Sequence, residues 1–386
     1  MGVSSLIFVV RGAESYGVQR KLLSIMRSLL ARGVKTTLYA VGDGEFVDRV
    51  RALGGVDILL ARQPPPRFVG RGWRKIISYL SMIASSSAMV RGLSAYLAAC
   101  PADALVFCER GWVVPLAFAM RRYKGPSFWL MPDVVSAGYP LDLNRLIYDQ
   151  AFRQSGMTPI ANSRHTRQTL GRAAAYAETI ALGADPAEFN DKRRPAAQLP
   201  GLPDDAVKLL IVGRLVEHKG QLVFLRAMLS RPEFSKLHLI LAGGPLESPF
   251  AAELKAAAPA QRLHVLGPVP DPASYYAAAD VVVNARIDAE PFGLSIVEAM
   301  MSAKPVLAHA LGGPGEIIVD GLTGWLVQQP SVDGFAEGLQ RMLADRSRWK
   351  EMGAAGERRA LETYTSASMT DQLVEIIDRH LRGGEG

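Results

Sequence analysis

The chain has 386 residues, 49% of them hydrophobic and 21% charged, so it is long enough for two domains with a full core each and has the composition of a soluble globular protein. Its net charge of +7 is uneven: residues 1–190 carry 23 Lys and Arg against 13 Asp and Glu, whereas residues 191–386 carry 21 against 24. Only two cysteines occur, Cys100 and Cys108, without metal-ligand spacing, which excludes a disulfide framework and a zinc site and suits a reducing, cytoplasmic setting.

The first apolar run predicts a buried strand over 6–10; it lacks the basic start and the length of a secretory signal. An amphipathic helix is expected over 19–30, opened by Gly17-Val18-Gln19-Arg20 and closed by Ala31-Arg32-Gly33-Val34. A strand over 36–40, a helix over 45–53 and strands over 104–107 and 127–130 follow. Alternation of this kind predicts an α/β fold with a doubly wound parallel sheet. Between these elements Arg62, Arg67, Arg71, Arg74 and Lys75 surround Pro64-Pro65-Pro66, Phe68 and Trp73, ahead of an uncharged, Ser-rich segment over 76–90. Arg121, Arg122 and Lys124 form a second basic group. Basic residues interleaved with aromatics suit peripheral contact with an anionic membrane face, or an acidic lipid-linked or phosphorylated acceptor; a solvated rim explains them equally well, and nucleic acid less well. No stretch approaches the roughly twenty apolar residues of a membrane span.

Composition turns polar and proline-bearing over 190–201, as a linker does. A second alternating series then begins, with strands expected over 208–212, 237–242, 262–266, 281–284 and 305–308 and mostly helix over 333–381. The organisation expected is a first domain over 1–190, a linker over 191–206 and a second domain over 207–360. Two such domains face a cleft, with ligands at the carboxyl ends of the strands.

Two segments of the second half carry chemistry. Leu209-Leu210-Ile211-Val212-Gly213-Arg214-Leu215-Val216-Glu217-His218-Lys219-Gly220 reads as a buried strand and a loop with two cations, where Arg214 can fork onto a phosphate and Lys219 can add a mobile point charge. Ala289-Glu290-Pro291-Phe292-Gly293-Leu294-Ser295-Ile296-Val297-Glu298 sets two carboxylates either side of a Pro-Phe-Gly turn and a helix start. Glu290 can accept from sugar hydroxyls, and the amides of Gly293, Leu294 and Ser295 can receive a diphosphate. Glu298, a turn further in, can grip a ribose diol. The order matches that of sugar, diphosphate and ribose in a nucleotide-linked sugar.

Gly213-Arg214-Leu215, Lys219-Gly220, the Glu290 to Glu298 spacing and Gly312-Gly313-Pro314-Gly315-Glu316-Ile317-Ile318 together resemble the family-4 retaining glycosyltransferases. Ala161-Asn162-Ser163-Arg164, Leu182-Gly183-Ala184-Asp185 and Phe189 agree, and the resemblance runs over 6–327. It implies the two-domain GT-B fold, with two Rossmann-like domains, acceptor binding in the first and nucleotide-sugar binding in the second, and a last segment over 361–386 that crosses back to the first. It implies a nucleobase lying against Val265-Leu266-Gly267-Pro268-Val269, so that Gly267 and Val269 join Gly213, Phe292, Gly293, Leu294, Ser295 and Glu298 as donor-binding residues. Arg214, Lys219 and the helix amides would stabilise charge growing on the β-phosphate, and Glu290 would orient the donor sugar, with no protein nucleophile. No Asp-x-Asp motif occurs, so neither a metal ion nor another cofactor is expected.

Two departures fall on the acceptor side. The usual glycine pair of the first loop appears as Tyr16-Gly17, and Met131-Pro132-Asp133 lacks the histidine that many relatives place before the aspartate. Tyr16, Gly17 and Asp133 are therefore the acceptor-side candidates, with the aligning role of that histidine absent or supplied elsewhere. Glu316 reads as a helix N-terminal carboxylate. The function expected is transfer of a hexose from a UDP- or GDP-sugar to a glycan or lipid-linked acceptor in cell-envelope polysaccharide or glycolipid synthesis. Sugar-nucleotide epimerisation or hydrolysis on the same fold, and a non-catalytic glycan- or lipid-binding subunit, are the alternatives.

Overall fold

The computed structural model describes residues 2–12, 17–61, 87, 89–99, 101–109, 113–120, 123, 125–135, 143–199, 201–259 and 261–383. Tyr16 and the basic and aromatic residues Arg62, Arg67, Arg71, Trp73, Arg74, Lys75, Arg121, Arg122 and Lys124 lie outside them. Short runs of aliphatic residues with no polar face can be satisfied only in a sheet covered on both sides, which favours parallel strands with helical crossovers. Such runs form β1 (Ser5–Arg11), β2 (Lys35–Val41), β4 (Ala104–Phe107), β5 (Ser127–Leu130) and β6 (Thr158–Ala161), with the more polar β3 (Val56–Ala61) and the two-residue β7 (Glu178–Thr179) at the edges. They pair in parallel in the order β3-β2-β1-β4-β5-β6-β7. Ile7, Val9, Leu105, Phe107 and Trp129 are core residues of this sheet.

The second sheet is built from β8 (Val207–Val212), β9 (Leu237–Ala242), β10 (Leu263–Gly267), β11 (Val281–Asn284), β12 (Val306–His309) and β13 (Gly324–Val327). Its order is β10-β9-β8-β11-β12-β13, again parallel. Leu209, Ile211, Leu239, Leu241, Phe224, Trp325 and Phe335 are among its core. In both sheets the chain runs outward on one side, then returns to lay the next strand on the other side of the first. That reversal, between β1 and β4 and between β8 and β11, opens a crevice at the carboxyl ends where α/β sheets bind ligands.

The chain divides into a unit of Met1–Leu182 with Ser366–Gly386 and a unit of Gly183–Thr365. The polar stretch read as a linker is fastened to the second unit by its own polar groups. Asn190 Nδ2 donates to Glu357 Oε1 at 3.0 Å, Arg194 Nη1 lies 2.9 Å from both Asp271 carboxylate oxygens, and Ala197 N–H donates to Ser274 O at 2.9 Å. The Ser366–Gly383 helix belongs to the first unit, where Gln372 accepts the Ala181 N–H at 3.1 Å and His380 meets Phe128 edge-on at 5.1 Å. Among the described residues no helix is long and apolar enough to cross a membrane.

Candidate active site

The exits of four strands of the second sheet lock together through glycines, and that interlock places the charged side chains. Gly213 follows β8 and Gly243 follows β9, with φ of 152° and 158°. A Cβ on Gly243 would lie 1.8 Å from Gly213 O, so the two chains cross backbone to backbone. Leu215 N–H then donates to Gly244 O at 2.8 Å, and the fully buried Gln221 donates Nε2 to Arg214 O at 2.7 Å. The backbone of Arg214 is thus held on both sides. Gly220 is left-handed at φ 70°, and a Cβ there would lie 1.9 Å from Ala285 O. This contact presses the β8 loop onto the exit of β11.

Lys219 is brought to Glu290 by that contact. Its Nζ lies 2.8 Å from Glu290 Oε2, with Asn284 Nδ2 at 3.5 Å from the same oxygen and Arg286 Nη1 at 3.5 Å from Oε1. Arg286 also holds Asp288 through Nε and Nη2. Glu290 is 8% exposed, so its carboxylate is a buried acceptor ringed by donors. Its backbone is fixed as firmly: Glu290 N–H donates to Leu311 O at 3.2 Å, and Glu290 O accepts Gly313 N–H at 2.8 Å. Gly312, with φ 96°, leaves no room for a side chain, since its Cβ would lie 2.2 Å from Glu290 O; a Cβ on Gly313 would lie 2.0 Å from Phe292 O. The glycine pair after β12 is therefore the mould for the Glu290 loop. Glu316 lies in the first turn of the short Pro314–Ile317 helix.

Gly293, with φ 105°, caps the Leu294–Met301 helix. Ile296 and Val297 are the first residues to donate back, onto Gly293 O at 2.9 and 3.4 Å, so the amides of Leu294 and Ser295 lie at the open end of the helix. Glu298, 3% exposed, accepts the Tyr276 hydroxyl at 2.8 Å, and Tyr276 packs edge-on against Phe189 at 5.8 Å. Phe292 is buried against Tyr364. Gly267 ends β10 at φ 79° and bridges Gly243, with Val269 half-buried two residues on. Burial and then the nearby Arg286 charge lower the pKa of His218, and burial lowers that of His309, whose Nδ1 donates to Arg286 O at 3.0 Å.

The donor-side candidates Gly213, Arg214, Lys219, Gly267, Val269, Glu290, Phe292, Gly293, Leu294, Ser295 and Glu298 thus all belong to the second unit, at or beside the carboxyl end of its sheet. Gly17 opens the Gly17–Ala31 helix and Asp133 follows β5, its Oδ1 accepting Val134 N–H at 2.8 Å; both belong to the first unit. Sequence reasoning missed Gln221, Tyr276, Asn284 and Arg286. Asn284 had a signal, a polar residue closing the strand Val281-Val282-Val283 at its carboxyl end. Among the described residues no group of three His, Cys, Asp or Glu side chains is placed to hold a metal ion.

Residues 193–359 match the family described as Glycosyl transferases group 1. The chain is 33% identical to the D-inositol 3-phosphate glycosyltransferase of Kribbella flavida over 64% of its own length and 62% of that relative. It is 31% identical to the GDP-mannose-dependent alpha-(1-6)-phosphatidylinositol monomannoside mannosyltransferase of Mycolicibacterium smegmatis over 56% of this chain and 60% of that one. The chain therefore spans less than two thirds of the length of these curated relatives. Among solved structures it is similar to a glycosyltransferase from Rickettsia africae (TM-score 0.80, 17% identity, 99% of this chain and 100% of that one). It is also similar to Anabaena Alr3699/HepE in complex with UDP-glucose (TM-score 0.76, 19% identity, 97% and 99%). The sequence match and these relatives show a likeness to the glycosyl transferases group 1 over the second half of the chain, and the solved structures carry the fold, which is GT-B.

Proposed function

We propose that the protein is a retaining, metal-independent glycosyltransferase that moves a hexose from a UDP- or GDP-sugar to a glycan or lipid-linked acceptor in cell-envelope polysaccharide or glycolipid synthesis. The observation that carries the reading is the Lys219–Glu290 pair at the β8/β11 switch point, with the open end of the Leu294–Met301 helix in the same loop system. In transfer, the bond between the anomeric carbon and the β-phosphate oxygen breaks while the acceptor oxygen bonds to the same face of that carbon, and the acceptor proton passes to the departing phosphate. Negative charge grows on the phosphate. Arg214 and Lys219 meet it with cations and the Leu294 and Ser295 amides with a helix terminus, and preorganised donors of this kind are each worth about 10²- to 10³-fold.

Lys219 must turn from Glu290 toward the diphosphate when donor binds, which frees Glu290 to accept from sugar hydroxyls. Glu298, fixed by Tyr276, takes the ribose. The two cations supply the charge that a magnesium ion supplies elsewhere, so a chelator should leave turnover unchanged. The Anabaena structure holds UDP-glucose and the mycolicibacterial relative is named for GDP-mannose, which supports both donor classes. The first unit is assigned to the acceptor, through Gly17, Asp133 and Tyr16. Peripheral contact with the inner membrane face is assigned to Arg62, Arg67, Arg71, Trp73, Arg74 and Lys75.

Thermal-shift titration with UDP, GDP and their sugar conjugates tests the donor side, because a ligand of the folded state raises apparent stability by mass action. One nucleotide class should raise the midpoint in the native protein and fail to do so in Arg214→Ala. A midpoint that no nucleotide moves would overturn the reading.

A further inference from the structure

The first sheet has a switch point of its own, and four charged or ionisable residues gather at its carboxyl end. Arg11 closes β1; its N–H donates to Glu109 Oε1 at 3.3 Å, and its Nε lies 4.0 Å from Glu109 Oε2. Cys108 follows β4, is buried, and donates its N–H to Val9 O at 3.2 Å. Lys21, near the start of the Gly17–Ala31 helix, is only 3% exposed, with its side chain near Cys108. Among the described residues no carboxylate pairs with Lys21 and no acceptor takes a hydrogen bond from it.

A buried ammonium without a partner costs several kcal/mol. Burial is the main cause that lowers its pKa to about 8, and it pushes the Cys108 thiol up to about 12, so the thiol is neutral and offers no counter-charge. Helical spacing groups Lys21 with Leu22, Ile25, Met26 and Leu29, all buried, so packing alone asks for an apolar side chain there. Arg11 and Glu109 offset each other. Among the described residues at this end Lys21 is the cation left over, at the end of β1 and next to the start of a fifteen-residue helix, where the peptide dipoles add partial positive charge.

We propose that Lys21 anchors a phosphate group carried by the acceptor, at the carboxyl ends of β1 and β4. The proposal rests on the transferase reading, in which the first unit takes the acceptor, and it narrows that acceptor to a phosphate ester, either a soluble sugar phosphate or a phospholipid headgroup. Phosphate supplies the acceptor atoms and the counter-charge that Lys21 lacks, and closes on it where strand exits and helix start converge.

Calorimetric titration of the full chain with inorganic phosphate, and separately with the nucleotide that shifts its melting, tests this in native protein and Lys21→Met. The apolar, similarly long methionine keeps the packing. Phosphate affinity should fall at least tenfold in Lys21→Met, with nucleotide affinity unchanged. Equal phosphate affinity in the two proteins, with nucleotide still bound, overturns the anchor and leaves the transferase reading standing. A phosphate difference with no nucleotide bound by either protein supports the anchor and overturns the transferase reading. Sedimentation with phosphatidylglycerol vesicles separates the sources: Lys21-dependent retention that inorganic phosphate competes away supports a headgroup, and retention independent of Lys21 alongside the phosphate difference supports a soluble ester.

Discussion

At the carboxyl end of the second sheet Lys219 and Arg286 both close on Glu290, whereas at the matching place in the first sheet Lys21 has no carboxylate among the described residues to close on. The strand order at the two switch points is the same, three strands outward on one side and the rest on the other. The difference lies in what each holds before a ligand arrives. Paired charges keep a loop in one geometry and are released one at a time, which suits a site whose ligand brings both phosphates and hydroxyls. A lone buried cation leaves the folded protein less stable than it need be, and that cost is recovered only when an anion binds.

The sharpest way to break the comparison is to remove a cation from the paired side. Arg214→Ala and Lys219→Ala should each lower turnover by about 10²- to 10³-fold, and steady-state kinetics with the identified donor would show whether both fall; a loss in only one would mean that they do not act on the same charge. Gly312→Ala tests the mould instead of the charge. The left-handed backbone at φ 96° and the 2.2 Å approach to Glu290 O leave no place for the methyl group, so stability should drop by about 1–3 kcal/mol, and turnover should fall toward that of Glu290→Ala. Gly33→Ala is the control in the first unit, with φ 73° but no atom within 4 Å of the added carbon; its melting loss should be the smaller and its turnover native.

On the unpaired side the sign reverses. The Lys21 pKa is lowered from 10.5 to about 8 on folding, a shift worth about 3 kcal/mol by linkage. The unfolded chain therefore holds the extra proton between these values, the destabilisation is complete below pH 8, and it is relieved as pH rises toward 10.5. Lys21→Met should melt higher than native protein at pH 7, and denaturant titrations should show the gap closing as pH rises through that window. A gap that stays constant would mean that the lysine is not buried as a charge.

Tyr276→Phe removes one hydrogen bond to the Glu298 carboxylate, worth about 1.5 kcal/mol, and should weaken nucleotide binding about tenfold, with little change in turnover at saturation. The smallest effect is expected far from either site. Burial, and next the charge of His264, lower the pKa of His238 below 6.5, so its share of stability is present above that value and lost as pH falls through it. Replacing His238 by Gln should flatten the acid side of the stability profile and leave the neutral side unchanged.

Much of this was legible because buried strands and glycine turns leave strong local marks. The strands over 104–107, 127–130, 237–242 and 281–284 and the Glu45–Leu53 helix fall where periodicity and punctuation set them. β3, β6, β7 and β13 were not seen. β7 is two residues long, β3 is an edge strand with Leu60 exposed, and β13 begins on Gly324 before Trp325, so none shows a long apolar run. The donor-side candidates were visible as motifs, but Lys219 and Glu290 were read as acting on separate parts of the ligand. Their 2.8 Å contact depends on Gly220 meeting Ala285, a long-range approach that no local pattern contains. Lys21 was readable and passed over: a lysine in phase with Leu22, Ile25 and Leu29 breaks the stripe that identifies the helix.

The Ser366–Gly383 helix has a consequence for synthesis. Because the first unit is made of the first and last stretches of the chain, the second unit, Gly183–Thr365, is complete on the ribosome before the first has all its parts. The N-terminal sheet must wait, with the helix surface that receives Asp371 through Arg32 still uncovered, until the last helix emerges. Chains arrested after residue 365 should therefore yield a protease-resistant second unit and a sensitive first one, the reverse of the order in which the two are translated.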